Sequence, residues 1–161
     1  MAKLTRDLFV PFIDTSKGAT PGTYTWKPID LSTVFELAYN PQTETYSYIC
    51  YPNDSTEITS YTPSMEQEIV LDSDNPIYKF MLDFCREMPA GSSAVVPVMI
   101  AYPGESGKTT EADVWDDAVI QPGTINTVDG KITFTLNMNG TRKKGTVTIA
   151  DGTATFAAEA A

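Results

Sequence analysis

The residues that most suggest chemistry lie in the segment Gly104-Glu-Ser-Gly-Lys-Thr109. A phosphate-binding loop has the form Gly-x-x-x-x-Gly-Lys-Thr, in which backbone amides and the lysine surround the phosphates. Here Tyr102 stands where the first glycine of that motif belongs. The residues after Thr109 predict a strand, whereas a phosphate site needs the N-terminus of a helix at this point. We therefore expect a surface loop that binds no nucleotide.

Carboxylates are the second group of candidate catalytic residues. Asp116 and Asp117 are adjacent, and Glu66 and Glu68 are expected on one face of a strand. A glycosidase holds two carboxylates across a cleft, about 5–9.5 Å apart, and neighbouring strand residues do not form a cleft. The chain has no histidine, which excludes histidine-based triads and removes the commonest general base. The sequence therefore predicts a protein that is not an enzyme, with no cofactor and no metal.

Composition indicates one globular domain, residues 1–161, with 42% apolar residues. The chain carries 11 basic and 21 acidic residues, a net charge of −10, which disfavours specific nucleic-acid binding. We see neither a signal peptide nor an apolar run long enough to span a membrane, so a cytoplasmic protein is expected. Cys50 and Cys85 are both expected as small core residues.

Residues 74–88 give the clearest helical pattern in the chain. Asp74 or Asn75 can cap the first turn, and Pro76 suits the first helical position. Apolar residues then recur at helical spacing along one stripe, and they are Ile77, Phe80, Met81, Phe84, Cys85 and Met88. An amphipathic helix among strands must pack on a sheet. The predicted fold is therefore mainly β, an antiparallel sandwich or barrel with one flanking helix.

Alternating residues predict several strands around this helix. We expect Leu31 to Tyr39 and Glu44 to Tyr51 to pair as a hairpin, followed by a long polar loop over residues 52–63. Ser64 to Leu71 is a further strand with a polar face. Residues 118–157 are expected to form an antiparallel meander, because three turn dipeptides divide them. Those dipeptides are Asp129-Gly130, Asn139-Gly140 and Asp151-Gly152.

Three segments are predicted to make contacts outside this domain body. Residues 1–22 are expected to form an arm with apolar anchors, and residues 157–161 a frayed tail. The anchors are Phe9, Phe12 and Ile13. The only basic cluster follows the Asn139-Gly140 turn and is a candidate contact for another copy, although plain solvation is an equal alternative. That cluster is Arg142, Lys143 and Lys144.

The order of these elements resembles the major tail tube proteins of long-tailed, siphovirus-type bacteriophages. The similarity is carried by Ile58 to Ser64 leading into Met65 to Leu71, and by Asp74 to Phe80 opening the helix. It extends over most of the chain. It implies a structural virion protein in the phage tail, assembled in the cytoplasm of the host bacterium.

The resemblance also implies a mode of assembly. Such proteins form hexameric rings in which each copy gives four strands to an inner barrel, and the rings stack into a tube. Genomic DNA passes through the tube without specific binding, and the implied partners are further copies, a tape measure, a tail terminator and distal tail proteins. On this basis we expect Glu36, Glu66 and Glu68 to line the lumen.

Two alternatives stay open from the sequence. One is a β-sandwich binding module of the adhesin type, with Trp26, Trp115 and the tyrosines as a glycan- or protein-binding surface. The other is an enzyme, although the residue spacings suggest no polar pocket. Within the tail tube class, the sequence does not separate a phage tube from a tube of a tail-like particle that carries no DNA.

Overall fold

The computed structural model describes residues 8–17, 24–30, 32, 35–104, 107–150 and 153–159. Within these residues the protein is mainly β with one α-helix, which confirms the predicted fold class. The strands are β1 (Val10–Asp14), β2 (Trp26–Pro28), β3 (Glu36–Ala38), β4 (Pro41–Tyr46), β5 (Ser55–Tyr61), β6 (Ser64–Val70), β7 (Val98–Pro103), β8 (Thr109–Trp115), β9 (Val119–Asn126), β10 (Lys131–Asn137), β11 (Arg142–Ala150) and β12 (Thr153–Ala158). Helix α1 (Pro76–Glu87) and a short 3-10 helix (Gly91–Ala94) lie between β6 and β7.

Six strands form an antiparallel sheet in the order β12-β11-β8-β7-β1-β2. Its two edge strands, β12 and β2, contact each other, so the sheet curls almost into a barrel. Strong curling places one face of the sheet inside the curl and leaves the other face outside. Both faces of its central strands can therefore be buried.

Four further strands form a second antiparallel sheet in the order β3-β6-β10-β9. It packs on the outside of the curled sheet with α1 beside it, and the two sheets share one core. Strands β4 and β5 form a separate two-stranded ribbon. This ribbon continues from β3 and β6, because β3 leads into β4 and β5 leads into β6.

Two apolar cores lie on opposite faces of the curled sheet. The first fills the sandwich and consists of Ile13, Ile29, Met65, Ile69, Ile77, Met81, Phe84, Ala94, Val96, Val98, Ile100, Ala118, Ile120, Ile132, Phe134, Leu136 and Met138. The second fills the curl and consists of Phe12, Trp26, Met99, Ala101, Ala112, Val114, Val147 and Ala154. Adjacent residues of β1 serve different cores because successive strand residues point to opposite faces.

Helix α1 follows the predicted pattern except at Met88, which was predicted on the apolar stripe but is 81% exposed beyond the end of the helix. The side chain of Asn75 accepts a hydrogen bond from the backbone N–H of Ile77 at 3.0 Å, which caps the first turn. Pro76 occupies the first helical position, and Met88 ends the helix in a left-handed conformation. No helix in the described residues is long and apolar enough to cross a membrane.

The predicted N-terminal arm is wrong for residues 10–14. These residues form β1, which is hydrogen-bonded between β7 and β2 inside the curled sheet. Phe12 is 2% exposed and Ile13 is fully buried, so both are core residues of this chain. A run with few polar residues is compatible with a central strand as well as with an apolar arm. Here these residues form a strand of the curled sheet. Residues 1–7 and 18–22 lie outside the described residues.

The predicted hairpin near residue 40 is also wrong. Strand β3 pairs with β6, whereas β4 pairs with β5, so the supposed polar loop 52–63 contains a strand. Cys50 lies exposed near the tip of the ribbon and is not a core residue, while Cys85 is partly buried on α1. Every residue of β4 and β5 is exposed, so no burial pattern marked them in the sequence.

The C-terminal strands are divided between the two sheets and do not form one meander. Strands β9 and β10 pair in the four-stranded sheet, whereas β11 and β12 pair in the curled sheet. The Asn139-Gly140 turn therefore crosses from one sheet to the other, with Gly140 at φ +76°. The predicted tail begins within β12, which extends to Ala158, and the turn at residues 151–152 lies outside the described residues.

Candidate assembly interface

The outer face of the four-stranded sheet is polar, because the alternate residues of its strands point away from the core. Met65, Ile69 and their neighbours face inward, and the residues between them face outward. Glu36 pairs with Glu66 across β3 and β6, and Glu68 lies two residues further along β6. The three glutamates predicted to act together thus share one sheet face.

Charge on this face is mostly negative. Lys131 Nζ lies 2.6 Å from Glu68 Oε1, and this contact raises the pKa of the lysine. Glu36 and Glu66 stand directly opposite each other, an arrangement that is unfavourable between like charges. Glu36, Glu66, Glu68 and Lys131 therefore contribute three negative charges and one positive charge to this face.

A shallow groove of about 320 Å³ runs along this polar face. It forms beside a β-bulge in β9, where the register of β9 against β10 shifts. A Cβ on Gly123 would lie 2.7 Å from the backbone oxygen of Thr133, so the bulge requires glycine there. The groove is lined by Glu66, Gln67, Glu68, Gly123, Thr133, Phe134 and Thr135. Within the described residues, no group of three or more histidine, cysteine or acidic side chains is arranged to hold a metal.

Each edge strand of the four-stranded sheet has one partner strand among the described residues. In the described part of the chain, β3 pairs only with β6, and β9 pairs with β10 and makes a single bridge from Val119 to Val95. Beyond Val119, the described residues form no pairing along the outer edge of β9. Ile125 pairs with the core residue Ile132 yet is 47% exposed, because it lies on an edge strand of the sheet. Ile125 is therefore an apolar side chain on an edge strand, the kind of position at which a further strand can add.

Phe9 lies beside the other edge. Its ring contacts Phe35 with a centroid distance of 5.7 Å and Tyr102 with a distance of 6.3 Å. Burial raises the pKa of the Tyr102 hydroxyl, with Tyr39 contributing to the same effect. Of the three predicted anchors, Phe9 alone is partly exposed and lies in an aromatic cluster next to β3.

The predicted basic cluster is largely paired within its own chain. Lys143 forms an ion pair with Asp116, and this contact raises the pKa of the lysine. Asp116 also accepts a hydrogen bond from Tyr24 Oη at 2.6 Å. Arg142 lies 3.9 Å from Asp113. Two of the three basic residues therefore have an acidic partner in their own chain, which reduces the positive charge that the cluster presents to another copy.

The sequence analysis did not predict the exposed β4–β5 ribbon as a structural element. Near its tip, Tyr46 stacks on Tyr48 at 6.0 Å and Tyr48 meets Tyr51 edge-on at 6.3 Å, with Ile49 fully exposed between them. The only sequence signal for this surface was the density of tyrosines between residues 46 and 51.

The folded elements define a class of β-sandwich in which a curled sheet, an open four-stranded sheet and one helix are combined. Chains of two tail-like assemblies have the same fold. One chain comes from the sheath and tube terminator of an extracellular contractile injection system, with a TM-score of 0.55, 8% identity, and coverage of 89% of this chain and 97% of that chain.

Two more such chains come from the anti-feeding prophage. A chain of its baseplate, solved with sixfold symmetry, gives a TM-score of 0.52 at 10% identity and covers 89% of this chain and 94% of that chain. A chain of its tube-terminating cap gives 0.52 at 11% identity, with 91% and 93% covered. No protein-family model and no curated protein matches the sequence. At these identities the similarity establishes the fold.

Proposed function

We propose that this protein is a structural subunit of a phage tail or tail-like particle, in which copies close into a ring around a channel. The observation that carries the proposal is the four-stranded sheet, whose edge strands β3 and β9 each have a single partner strand among the described residues. Because it has an even number of antiparallel strands, β3 and β9 run in opposite directions. Strand β9 of one copy can therefore continue the antiparallel sheet onto β3 of the next, and a closed ring leaves no edge.

Six copies would give a barrel of 24 strands from this four-stranded sheet. With strands about 4.8 Å apart, the circumference is about 115 Å and the backbone radius about 18 Å before strand tilt widens it. Barrels of fewer strands already enclose aqueous channels. The number six rests on the resemblance to tail tube proteins and on the sixfold symmetry of one similar assembly.

The polar face would line this channel, with Glu36, Glu66 and Glu68 on its wall. A net negative wall repels phosphate groups, so DNA would pass through without binding. The rings would stack into a tube together with a tape measure, a terminator and distal tail proteins, in a tail that is assembled in the host cytoplasm. Phe9 would contribute to the contact between neighbouring copies.

A second candidate function within this class is a ring at one end of a tube in a particle that carries no DNA. The position at the end of a tube is favoured by the similarity to chains of a tube terminator and a tube-terminating cap. A glycan-binding module is less well supported, since Trp26 is buried in the second core and Trp115 packs against the first.

Electron microscopy and light scattering of the purified protein test this proposal. The wild type is expected to form hollow rings or tubes, and Ile125→Lys is expected to lose them because it places a charge where β3 of the next copy would lie. Val128→Lys is the matched control, since Val128 is 93% exposed in the turn that follows β9. Compact monomers of wild type at high concentration, or equal effects of both substitutions, would contradict ring closure through these edges.

A further inference from the structure

Charge is distributed unevenly along the chain. Residues 28–78 contain nine acidic residues and no lysine or arginine. The rest of the chain contains 12 acidic and 11 basic residues, so nearly all of the net charge of −10 belongs to residues 28–78. The β4–β5 ribbon and the tip that joins its strands lie inside this segment, and their charged residues are Glu44, Asp54 and Glu57. A surface with charge of one sign attracts a partner of the opposite sign.

A pocket of about 440 Å³ lies at the tip of the ribbon. Two of its walls are the rings of Tyr48 and Tyr51, whose planes meet at 79° with centroids 6.3 Å apart. Tyr46 stacks on Tyr48 with a centroid distance of 6.0 Å and supports that wall. Tyr48 is 51% exposed and Tyr51 is 69% exposed, so both rings are accessible to a ligand. The remaining lining residues are Pro52, Asn53, Asp54 and Ser55.

The pocket also contains a carboxylate. Asp54 lines it, and Oδ1 of Asp54 accepts a hydrogen bond from the hydroxyl of Ser47 across the tip. This bond holds the carboxylate beside the two rings. The face of an aromatic ring carries partial negative charge and attracts a cation. Two ring faces at nearly right angles, together with a carboxylate, therefore form a site for a positively charged group.

We propose that this pocket binds an arginine side chain of a protein other than this chain. The guanidinium group packs in the corner between Tyr48 and Tyr51 and donates hydrogen bonds to Asp54. Guanidinium suits this corner because it is planar, stacks on aromatic faces and is less strongly hydrated than an ammonium group. The inference goes beyond the ring proposal, because it uses neither β3 nor β9.

The charge around the pocket identifies its occupant. An acidic or phosphate-bearing ligand would be repelled by Asp54 and by the other acidic residues of the segment. A neutral ligand such as a sugar would cover the carboxylate without pairing its charge, which is unfavourable. A second copy of this chain has a net charge of −10 itself, whereas a basic segment of another protein is attracted by the whole acidic segment.

Binding of the full-length protein to an immobilised peptide tests the site by biolayer interferometry. The probe is a capped peptide with one arginine between glycine and serine residues, and its control has citrulline, which keeps the shape but removes the charge. The citrulline peptide is expected to bind at least about tenfold more weakly, because it loses both the cation–π contact and the ion pair.

Substitutions at exposed positions locate the site on the ribbon. Tyr51→Leu and Asp54→Asn are each expected to weaken binding of the arginine peptide about threefold or more. Their matched controls are Tyr61→Leu and Glu57→Gln, which remove an exposed ring and a carboxylate of the ribbon that do not line the pocket. Both controls are expected to leave the affinity nearly unchanged.

Three results would overturn the proposal. Equal binding of the arginine and citrulline peptides would show that charge is not recognised, and equal losses in the pocket variants and their controls would show general attraction to an acidic surface. A photo-crosslinker at Asn53 is expected to label the arginine peptide. If it labels another copy of the chain in preference to the peptide, the tip is a contact between copies. The ring proposal is unaffected by any of these results, since peptide binding does not depend on assembly.

Discussion

Replacing Phe12 with alanine distinguishes a core strand from a detachable arm. Phe12 is 2% exposed in the second core, where Trp26 and Met99 are also buried. Truncation of a fully buried phenylalanine costs about 3–5 kcal/mol. Since a domain is stabilised by only about 5–15 kcal/mol, this is a large fraction of the total. With a urea slope of about 2 kcal/mol/M, the unfolding midpoint should fall by about 2 M.

Tryptophan fluorescence during urea unfolding is the assay, because each core has its own reporter. Trp26 stacks on Tyr24 in the second core, and Trp115 packs against the first. Within each single-tryptophan variant, fluorescence and far-UV circular dichroism should give the same midpoint, since both cores share the curled sheet. Phe9→Ala is the comparison, and it should lose less stability because its ring is only partly buried. A loss below about 1 kcal/mol for Phe12→Ala would refute the placement of β1 inside the sheet.

Two further predictions concern the curled sheet. Gly145→Ala should lower the free energy of unfolding by about 1–3 kcal/mol, because the new Cβ would overlap with the carbonyl oxygen of Ala157, and an unchanged urea midpoint would contradict this packing. Burial raises the pKa of the Asp113 carboxyl despite the opposing effect of Arg142, so the folded state holds the proton more tightly than the unfolded state. The stability this group contributes is therefore present below about pH 4 and lost as pH rises through the folded pKa, and wild type should lose stability relative to Asp113→Asn between pH 4 and 7. Urea unfolding of both proteins across that range is the measurement, and a relative gain by wild type would show that the ion pair with Arg142 outweighs burial.

Local signals in the sequence were sufficient for the helix and for the polar sheet face. Asn75 and Pro76 mark the start of α1 because their effects act within one turn. Glu66 and Glu68 were placed on one face because the period of a strand is two. Both predictions depend only on residues that are close in sequence.

Strand pairing over longer distances could not be predicted. The hairpin expected around Asn40 is absent because β3 pairs with β6, beyond an exposed ribbon of two strands. Burial creates the alternation from which strands are predicted, and the ribbon residues are all exposed. Phe12 and Ile13 were misplaced for a related reason, since a strand buried on both faces shows no alternation.

The continuity of the ribbon with β6 has a mechanical consequence. A force that pulls the ribbon away from the body acts along the axis of β6, which is hydrogen-bonded to β10 from Ser64 opposite Asn137 to Val70 opposite Lys131. The load is then shared by all seven residue pairs at once and does not open them one after another. Tension on the ribbon would thus load the β6–β10 pairing in shear. The chain bends between β3 and β4 at Asn40, which has φ +47°.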